Sequence, residues 1–126
     1  MTSLPALLRS PSGADVTAVL AEDVRFHSPA ADYEGREDVA HLVTAISTVL
    51  EDVNATRRFS QGPATTTFFT ATVDGHPLDG VLDERFAPDG RIAEATLFLR
   101  PYGALRVAIG RMRSALAQDP LPSARR

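Results

Sequence analysis

The spacing of apolar residues divides the chain into helical segments and β-rich runs. Between positions 36 and 50, apolar residues recur every three or four positions, which places one continuous stripe along a helix. The predicted helices cover residues 4–9, 15–22, 36–50 and 102–117. Pro11, Ser12 and Gly13 break the chain between the first two. On the last helix, Arg106, Arg111 and Arg113 are expected to turn largely to solvent.

Short runs rich in β-branched and aromatic residues predict five strands. One strand, residues 24–28, precedes the long helix. The other four follow it at residues 53–60, 64–74, 77–87 and 91–100. Their connections are Gln61-Gly62-Pro63, Asp74-Gly75 and Asp89-Gly90, which are turn sequences of the hairpin kind. These four strands should therefore form an antiparallel meander.

The order of these elements predicts an α+β domain, in which a curved antiparallel sheet wraps around the long helix. A bent sheet that helices close on one side leaves an apolar cone, and such cones bind small molecules. We expect a single domain over residues 1–118. Residues 119–126, rich in Pro, Ser and Arg, are expected to be a disordered C-terminal tail.

Composition narrows the class of protein. A chain of 126 residues with 44% apolar residues can close one core. No stretch is apolar enough to span a bilayer and the N-terminus lacks the pattern of a secretory signal, so a cytoplasmic protein with no membrane partner is expected. The net charge is −3 and the 13 arginines are scattered, a pattern that argues against nucleic acid as a partner.

Absent residue types exclude several chemistries. The chain has no cysteine and no lysine, which removes thiol nucleophiles, thiolate metal sites and Schiff-base mechanisms. His27, His41 and His76 show no metal-binding spacing, and no glycine-rich phosphate loop occurs. We therefore expect neither a metal nor an organic cofactor. Proton transfer is left to histidines, carboxylates and tyrosines.

Five short motifs carry a family resemblance. The runs F-H-S-P, Y-E-G-R, L-D-G-V, R-F-A-P-D-G-R-I and L-R-P, taken together over about residues 14–117, resemble the SnoaL-like branch of the nuclear transport factor 2-like superfamily. That family includes ketosteroid isomerases, polyketide cyclases and limonene epoxide hydrolases, along with many uncharacterised bacterial proteins. The resemblance implies a small apolar organic ligand and a homodimer joined through the sheets.

The chain departs from the catalytic pattern of that family. The aspartate that removes a proton in the isomerases corresponds to Ser28, and their acidic oxyanion donor corresponds to Leu82, beside Asp83. The first helix holds no tyrosine. Asp79 and Arg100 are only part of the set of residues that epoxide hydrolase chemistry needs. A steroid isomerase mechanism is therefore not expected.

Asp79, in the L-D-G-V motif, is a candidate catalytic base. If Asp79 faces the cone, burial would raise its pKa. The alternative is a solvated carboxylate on the outer face of the sheet, beside Asp83 and Arg85, which share its strand parity. Arg100 could stabilise negative charge on a ligand, or could pair structurally with Asp79 or Glu94.

His27 is the second catalytic candidate, as a proton relay. Strand parity places Phe26 and Ser28 on one side of the strand and His27 on the other. The alternative position for His27 is therefore the rim of the cone or an interface. In that case Ser28 is the expected hydrogen-bond donor in the pocket. Tyr33, in the following loop, could close over the cone.

Leu82 and Phe98 complete the predicted pocket. Leu82 occupies the place of the family's acidic donor. For Phe98, the core or a dimer interface is the alternative position.

Two functional hypotheses follow. The first is a small bacterial enzyme that isomerises, cyclises or hydrates an apolar substrate by proton transfer, with Asp79 as base, His27 or Ser28 as partner and Arg100 as stabiliser. The second is a non-catalytic ligand-binding or dimerisation module with the same fold. Loss of the family's acidic positions favours the second hypothesis.

Overall fold

The computed structural model describes residues 4–9 and 13–125 of the protein. Part of the predicted break, at Pro11 and Ser12, and the last residue of the predicted tail lie outside the described residues. The helices are α1 (Leu4–Arg9), α2 (Gly13–Val19), α3 (Arg36–Val49) and α4 (Tyr102–Gln118). The strands are β1 (Leu20–His27), β2 (Asp32–Glu34), β3 (Glu51–Gln61), β4 (Ala64–Val73), β5 (His76–Phe86) and β6 (Ile92–Arg100).

All six strands form one sheet, in the order β2-β1-β6-β5-β4-β3. Strands β3 to β6 are the predicted antiparallel meander, and the sheet curves around α3, so the predicted α+β fold is confirmed. The sheet is mixed rather than wholly antiparallel, because β1 pairs with β6 in parallel. Asp74 and Gly75 turn the β4–β5 hairpin with φ values of 48° and 78°, as the Asp-Gly pair predicts.

Two local predictions differ from the structure at the start of the sheet. The helix predicted for residues 15–22 ends at Val19, since fully buried Leu20 already pairs with Ile92 of β6. The stretch predicted as a loop contains β2, in which Tyr33 pairs with Phe26 of β1. In both places, pairing within the sheet outweighs the local sequence preference.

Side chains that alternate along β4, β5 and β6 separate an inner face from an outer face. The inner face is buried against the helices, with Phe69, Leu82 and Leu97 among its core residues. Glu84 is also fully buried on this face, and its Oε2 accepts a hydrogen bond of 2.9 Å from the backbone N–H of Leu4. This contact joins α1 to the sheet.

The C-terminal segment differs from the predicted frayed tail. Residues Pro122–Arg125 form a 3-10 helix, and the backbone N–H of Ser123 donates a hydrogen bond of 3.0 Å to Asp38 in the first turn of α3. Leu121 packs, partly buried, against the core. Polar and apolar contacts therefore attach residues 121–125 to the domain.

Candidate functional site

A cavity of about 310 Å³ lies between α3, α4, β6 and the loop that joins β1 to β2. Its lining is mostly aliphatic. The aliphatic lining residues from α3, from Leu50 directly after it, from β6 and from α4 are Leu42, Ile46, Val49, Leu50, Leu97, Leu99, Leu105, Ala108, Ile109, Met112 and Leu116. An engineered cavity of about 150 Å³ in another protein holds benzene, so this cavity suits a body of roughly two rings.

The amphipathic pattern of α4 explains why the cavity is apolar. Leu105, Ile109, Met112 and Leu116 recur at helical spacing and point to the same side of the helix. All four are only partly buried, because the cavity separates them from α3 and β6. The apolar face of α4 therefore forms one wall of the cavity.

Three lining residues carry side-chain polar groups: Ser28, Tyr33 and Arg113. The Oγ of Ser28 accepts hydrogen bonds from the N–H groups of Ala30 (3.2 Å) and Ala31 (3.0 Å). The same Oγ donates to the carbonyl of Ala31 at 2.9 Å. Because its proton is already used within the loop, Ser28 shapes the mouth of the cavity, and the role of pocket donor stays a prediction.

Tyr33 lines the cavity from β2, where it is partly buried. Its hydroxyl makes no hydrogen bond with any residue in the described part of the chain. A ligand in the cavity could therefore use this hydroxyl as donor or acceptor.

His27 lies on the outer face, opposite Phe26 and Ser28, as strand parity predicts. Its two ring nitrogens contact carboxylates on both sides, Nδ1 with Asp32 Oδ1 at 2.7 Å and Nε2 with Glu94 Oε2 at 2.7 Å. Carboxylates only accept hydrogen bonds, so both contacts are satisfied when the ring is an imidazolium. The hydrogen bond with Glu94, followed by that with Asp32, raises the pKa of His27 above its ordinary value.

Glu94 is the centre of this network of charges. Its other carboxylate oxygen accepts a hydrogen bond from Arg85 and lies 3.4 Å from Arg25. The hydrogen bond from His27, supported by both arginines, lowers the pKa of Glu94. The network ties β1, β2, β5 and β6 together beside the loop that forms the cavity mouth.

Asp79 and Arg100 lie on the outer face of the sheet, not in the cavity. They pair across β5 and β6, and Arg100 Nη1 donates to Asp79 Oδ2 at 2.8 Å. Both side chains are largely exposed, at 57% for Asp79 and 73% for Arg100. The predicted burial of Asp79 in the cone is therefore wrong, and the outer-face alternative describes the observed position.

The remaining predicted pocket residues separate into three positions. Phe26 and Leu82 are buried in the packed core, where neither contributes to the cavity lining. Phe98 is 56% exposed on the outer face, opposite Val81. Only Ser28 and Tyr33 of the predicted site residues line the cavity.

Sequence reasoning missed Arg113 and the wall formed by α4. Arg113 is exposed, as predicted, yet it also lines the cavity, one position after Met112. The signal available in the sequence was the position of this arginine beside the apolar stripe of α4.

Residues 4–9 and 13–125 hold neither a metal-binding cluster nor a helix that could span a membrane. Within that part of the chain, no group of three His, Asp or Glu side chains has the arrangement that holds a metal ion. None of the described helices has both the length and the hydropathy needed to cross a bilayer. The predicted cytoplasmic location stays a prediction.

Comparisons with known proteins give matches of structure and not of sequence. No protein-family model and no curated protein matches the sequence. A steroid delta-isomerase from Pseudomonas aeruginosa is 26% identical, with a TM-score of 0.84 over 94% of this chain and 95% of that chain. An uncharacterised protein with a cystatin-like fold from Silicibacter pomeroyi DSS-3 is 23% identical, with a TM-score of 0.88 over 92% of this chain and 84% of that chain.

A SnoaL-like family protein from Agrobacterium tumefaciens strain C58 has the same architecture. It is 19% identical, with a TM-score of 0.60 over 76% of this chain and 90% of that chain. At this identity the likeness shows a shared fold only.

Proposed function

We propose that the chain, which has the nuclear transport factor 2-like fold, binds a small, mostly apolar organic molecule in its cavity. The observation that carries the proposal is the lining: no Asp, Glu or His occurs among the described residues that form it. An aliphatic cavity with a few polar groups at its mouth is typical of a small-molecule site. Binding, rather than proton transfer, is the function that such a lining supports best.

The size of the cavity limits the ligand. At about 310 Å³ it lies at the small end of ligand pockets. A fused bicyclic body fits this volume, whereas a four-ring skeleton would project from the mouth.

Binding of neutral bicyclic probes, such as 2-naphthol, tests the proposal by isothermal titration calorimetry. Ala108→Phe places a ring in the cavity, since Ala108 is buried and lines it. Ala117→Phe is the matched control, because Ala117 is exposed on the same helix and outside the lining. We expect wild type and Ala117→Phe to bind equally and Ala108→Phe to lose binding; equal binding by all three proteins would contradict the proposal.

A second candidate function is catalysis by proton transfer, as in an isomerase, cyclase or hydratase. The likeness to a steroid delta-isomerase favours it. His27 is the candidate proton donor or acceptor, with its ring on the outer face and its chain position next to the cavity-lining Ser28. Catalytic roles for Asp79 and Arg100 stay predictions, with both side chains outside the cavity lining.

The catalytic candidate is tested by turnover of a bicyclic ketone whose double bond can move into conjugation. Catalysis through His27 predicts that His27→Asn lowers kcat by about 100-fold or more, while His76→Asn, at the exposed start of β5, leaves it unchanged. Turnover that survives His27→Asn and is lost in Asp79→Asn would instead support Asp79 as the base. No turnover by wild type would leave ligand binding as the function.

We also propose that the outer sheet face pairs with a second copy of the chain. Phe59, Phe68, Val81 and Phe98 form an apolar band across β3, β4, β5 and β6. Phe59 is 58% exposed and Phe98 is 56% exposed. An exposed apolar band with charged pairs such as Asp79–Arg100 beside it is suited to a protein interface.

Sedimentation velocity tests this partner. Phe98→Asp should convert a dimer to a monomer, whereas Tyr102→Asp should not, because Tyr102 is an exposed residue of α4 and not of the strands that form the band. A wild-type chain that sediments as a monomer at micromolar concentration would contradict the proposed dimer.

A further inference from the structure

We infer that the ligand of this cavity carries one carboxylate, which pairs with Arg113 at the mouth while an apolar body fills the interior. This inference rests on the proposed ligand-binding function and adds the chemical class of the ligand. It follows from the distribution of charge around the lining.

Arg113 is the one charged residue among the described residues that line the cavity. Its guanidinium makes no ion pair and no hydrogen bond with any residue of the described chain. The stem of an arginine can lie along apolar surface while its charged head stays at the water boundary. Arg113 therefore combines contact with the lining and a cation available to a ligand.

The other arginines of α4 have partners, which distinguishes them from Arg113. Arg106 stacks over the ring of Tyr102, with its guanidinium carbon 5.9 Å from the ring centroid. Arg111 donates a hydrogen bond of 2.7 Å to Asp74. Of the three arginines in the middle of the helix, the one that lines the cavity is the one without a partner among the described residues.

Among the described residues that form the lining, no acidic group compensates this charge. Asp32, which lies next to Tyr33 in sequence, is bound to His27 on the outer face. The other side-chain polar groups of the lining are hydroxyls, and that of Tyr33 can donate to an anion. A cation beside low-dielectric walls, with the Tyr33 hydroxyl as a donor on the same lining, favours a negatively charged ligand over a neutral or cationic one.

The geometry of the site sets the form of this ligand. The body should match a cavity of about 310 Å³, which corresponds to roughly two fused rings or a chain of about eight carbons. The carboxylate should be terminal, because Arg113 is an exposed residue at the edge of the lining. The class is therefore a monocarboxylate with an apolar body, such as an aromatic or medium-chain acid.

Two matched pairs of probes separate charge from shape: 2-naphthoate with 2-naphthamide, and octanoate with octanamide. Affinities are measured by calorimetry at neutral pH for wild type, Arg113→Gln and Arg111→Gln. Arg111 is the control because it lies on the same helix, about 200° around the axis from Arg113, and is outside the lining.

We expect wild type to bind one carboxylate roughly tenfold more tightly than its amide, as a charge-assisted contact implies. The preference should disappear in Arg113→Gln, persist in Arg111→Gln and shrink as salt is added. Arg113 is exposed, so its substitution should leave the fold intact.

Equal affinity for carboxylate and amide in wild type, or a preference that survives Arg113→Gln, would overturn the inference and leave apolar ligand binding standing. Binding of neither pair would overturn both the inference and the proposed function. Binding that persists in Ala108→Phe would place the probes outside the cavity, and would likewise overturn both the inference and the proposed function.

Discussion

Arg100 donates a hydrogen bond to Asp79 across β5 and β6, on the face of the sheet that lies away from the cavity. The N···O distance is 2.8 Å and both side chains are largely exposed. An exposed ion pair of this kind contributes little to stability and cannot reach a ligand that the inner face encloses.

Asp79→Asn should therefore leave ligand affinity unchanged and lower the free energy of unfolding by less than about 1 kcal/mol. Calorimetry with a bicyclic probe and urea unfolding measure the two quantities. A marked loss of affinity in this variant would mean that Asp79 acts on the ligand after all.

The stability of the protein should depend on the charge of His27. Its pKa is raised above the ordinary value of 6.5 by hydrogen bonds to Glu94 and Asp32. The folded state thus holds the proton more tightly than the unfolded state, so this stabilisation is complete below about pH 6.5 and is lost as pH rises through the folded pKa. We expect urea unfolding to show a decline in stability over that range.

Glu94 makes stability depend on pH in the opposite direction, and it does so at acidic pH. Its pKa lies below the ordinary value of 4.5, chiefly because of the hydrogen bond from His27. Its contribution is present above about pH 4.5 and is lost as pH falls through the folded pKa. The two groups together predict greatest stability from this network between about pH 4.5 and 6.5.

His27→Asn should remove the decline above pH 6.5 and lower stability at pH 6 by about 1 kcal/mol, since two partly exposed charge-assisted contacts are lost. His76→Asn is the control and should keep the wild-type pH profile. An unchanged profile in His27→Asn would show that the network contributes nothing to stability.

The contact between Phe69 and Gly80 permits a separate test of how the inner face is packed. These residues are paired in β4 and β5, and a Cβ added at Gly80 would lie 2.1 Å from the Phe69 ring. Phe69 is buried, so its ring has little room to move. Gly80→Ala should destabilise the protein by about 1–3 kcal/mol or more.

Gly110→Ala is the matched control for that experiment. Gly110 lies within α4, and a Cβ there meets no atom within 4 Å. Alanine should stabilise the helix by up to about 1 kcal/mol. A Gly80→Ala variant as stable as wild type would mean that the Phe69 ring does not occupy the space above Gly80.

Much of the fold could be predicted from the sequence because its signals are local. The Asp74-Gly75 pair identified a hairpin turn, and the apolar stripe identified α3. The parallel pairing of β1 with β6 could not be predicted in this way, since it joins residues that are far apart in sequence. The sequence predicts a helix at Leu20 because its strand partner, Ile92, gives no local signal.

The candidate site was harder to predict because alternation defines two faces without saying which one curves inward. Strand parity correctly predicts that His27 and Ser28 lie on opposite sides of the strand. For Asp79, parity alone allows either the cone or the outer face of the sheet. That Arg113 also lines the cavity could not be predicted, because the cavity beside α4 depends on how far that helix stands from β6. That distance is set by packing and not by helical periodicity.

The central claim, that the cavity takes up a small apolar molecule, has a natural probe in the chain. There are two methionines, Met1 and Met112, and Met112 lines the cavity. With methyl-labelled methionine and valine, two methionine NMR signals are expected, which Met112→Leu assigns. We predict that 2-naphthamide shifts the Met112 signal saturably in wild type and not in Ala108→Phe. A Met112 signal that stays in place while the probe binds, with the outer-face Val81 methyls shifting instead, would contradict the claim.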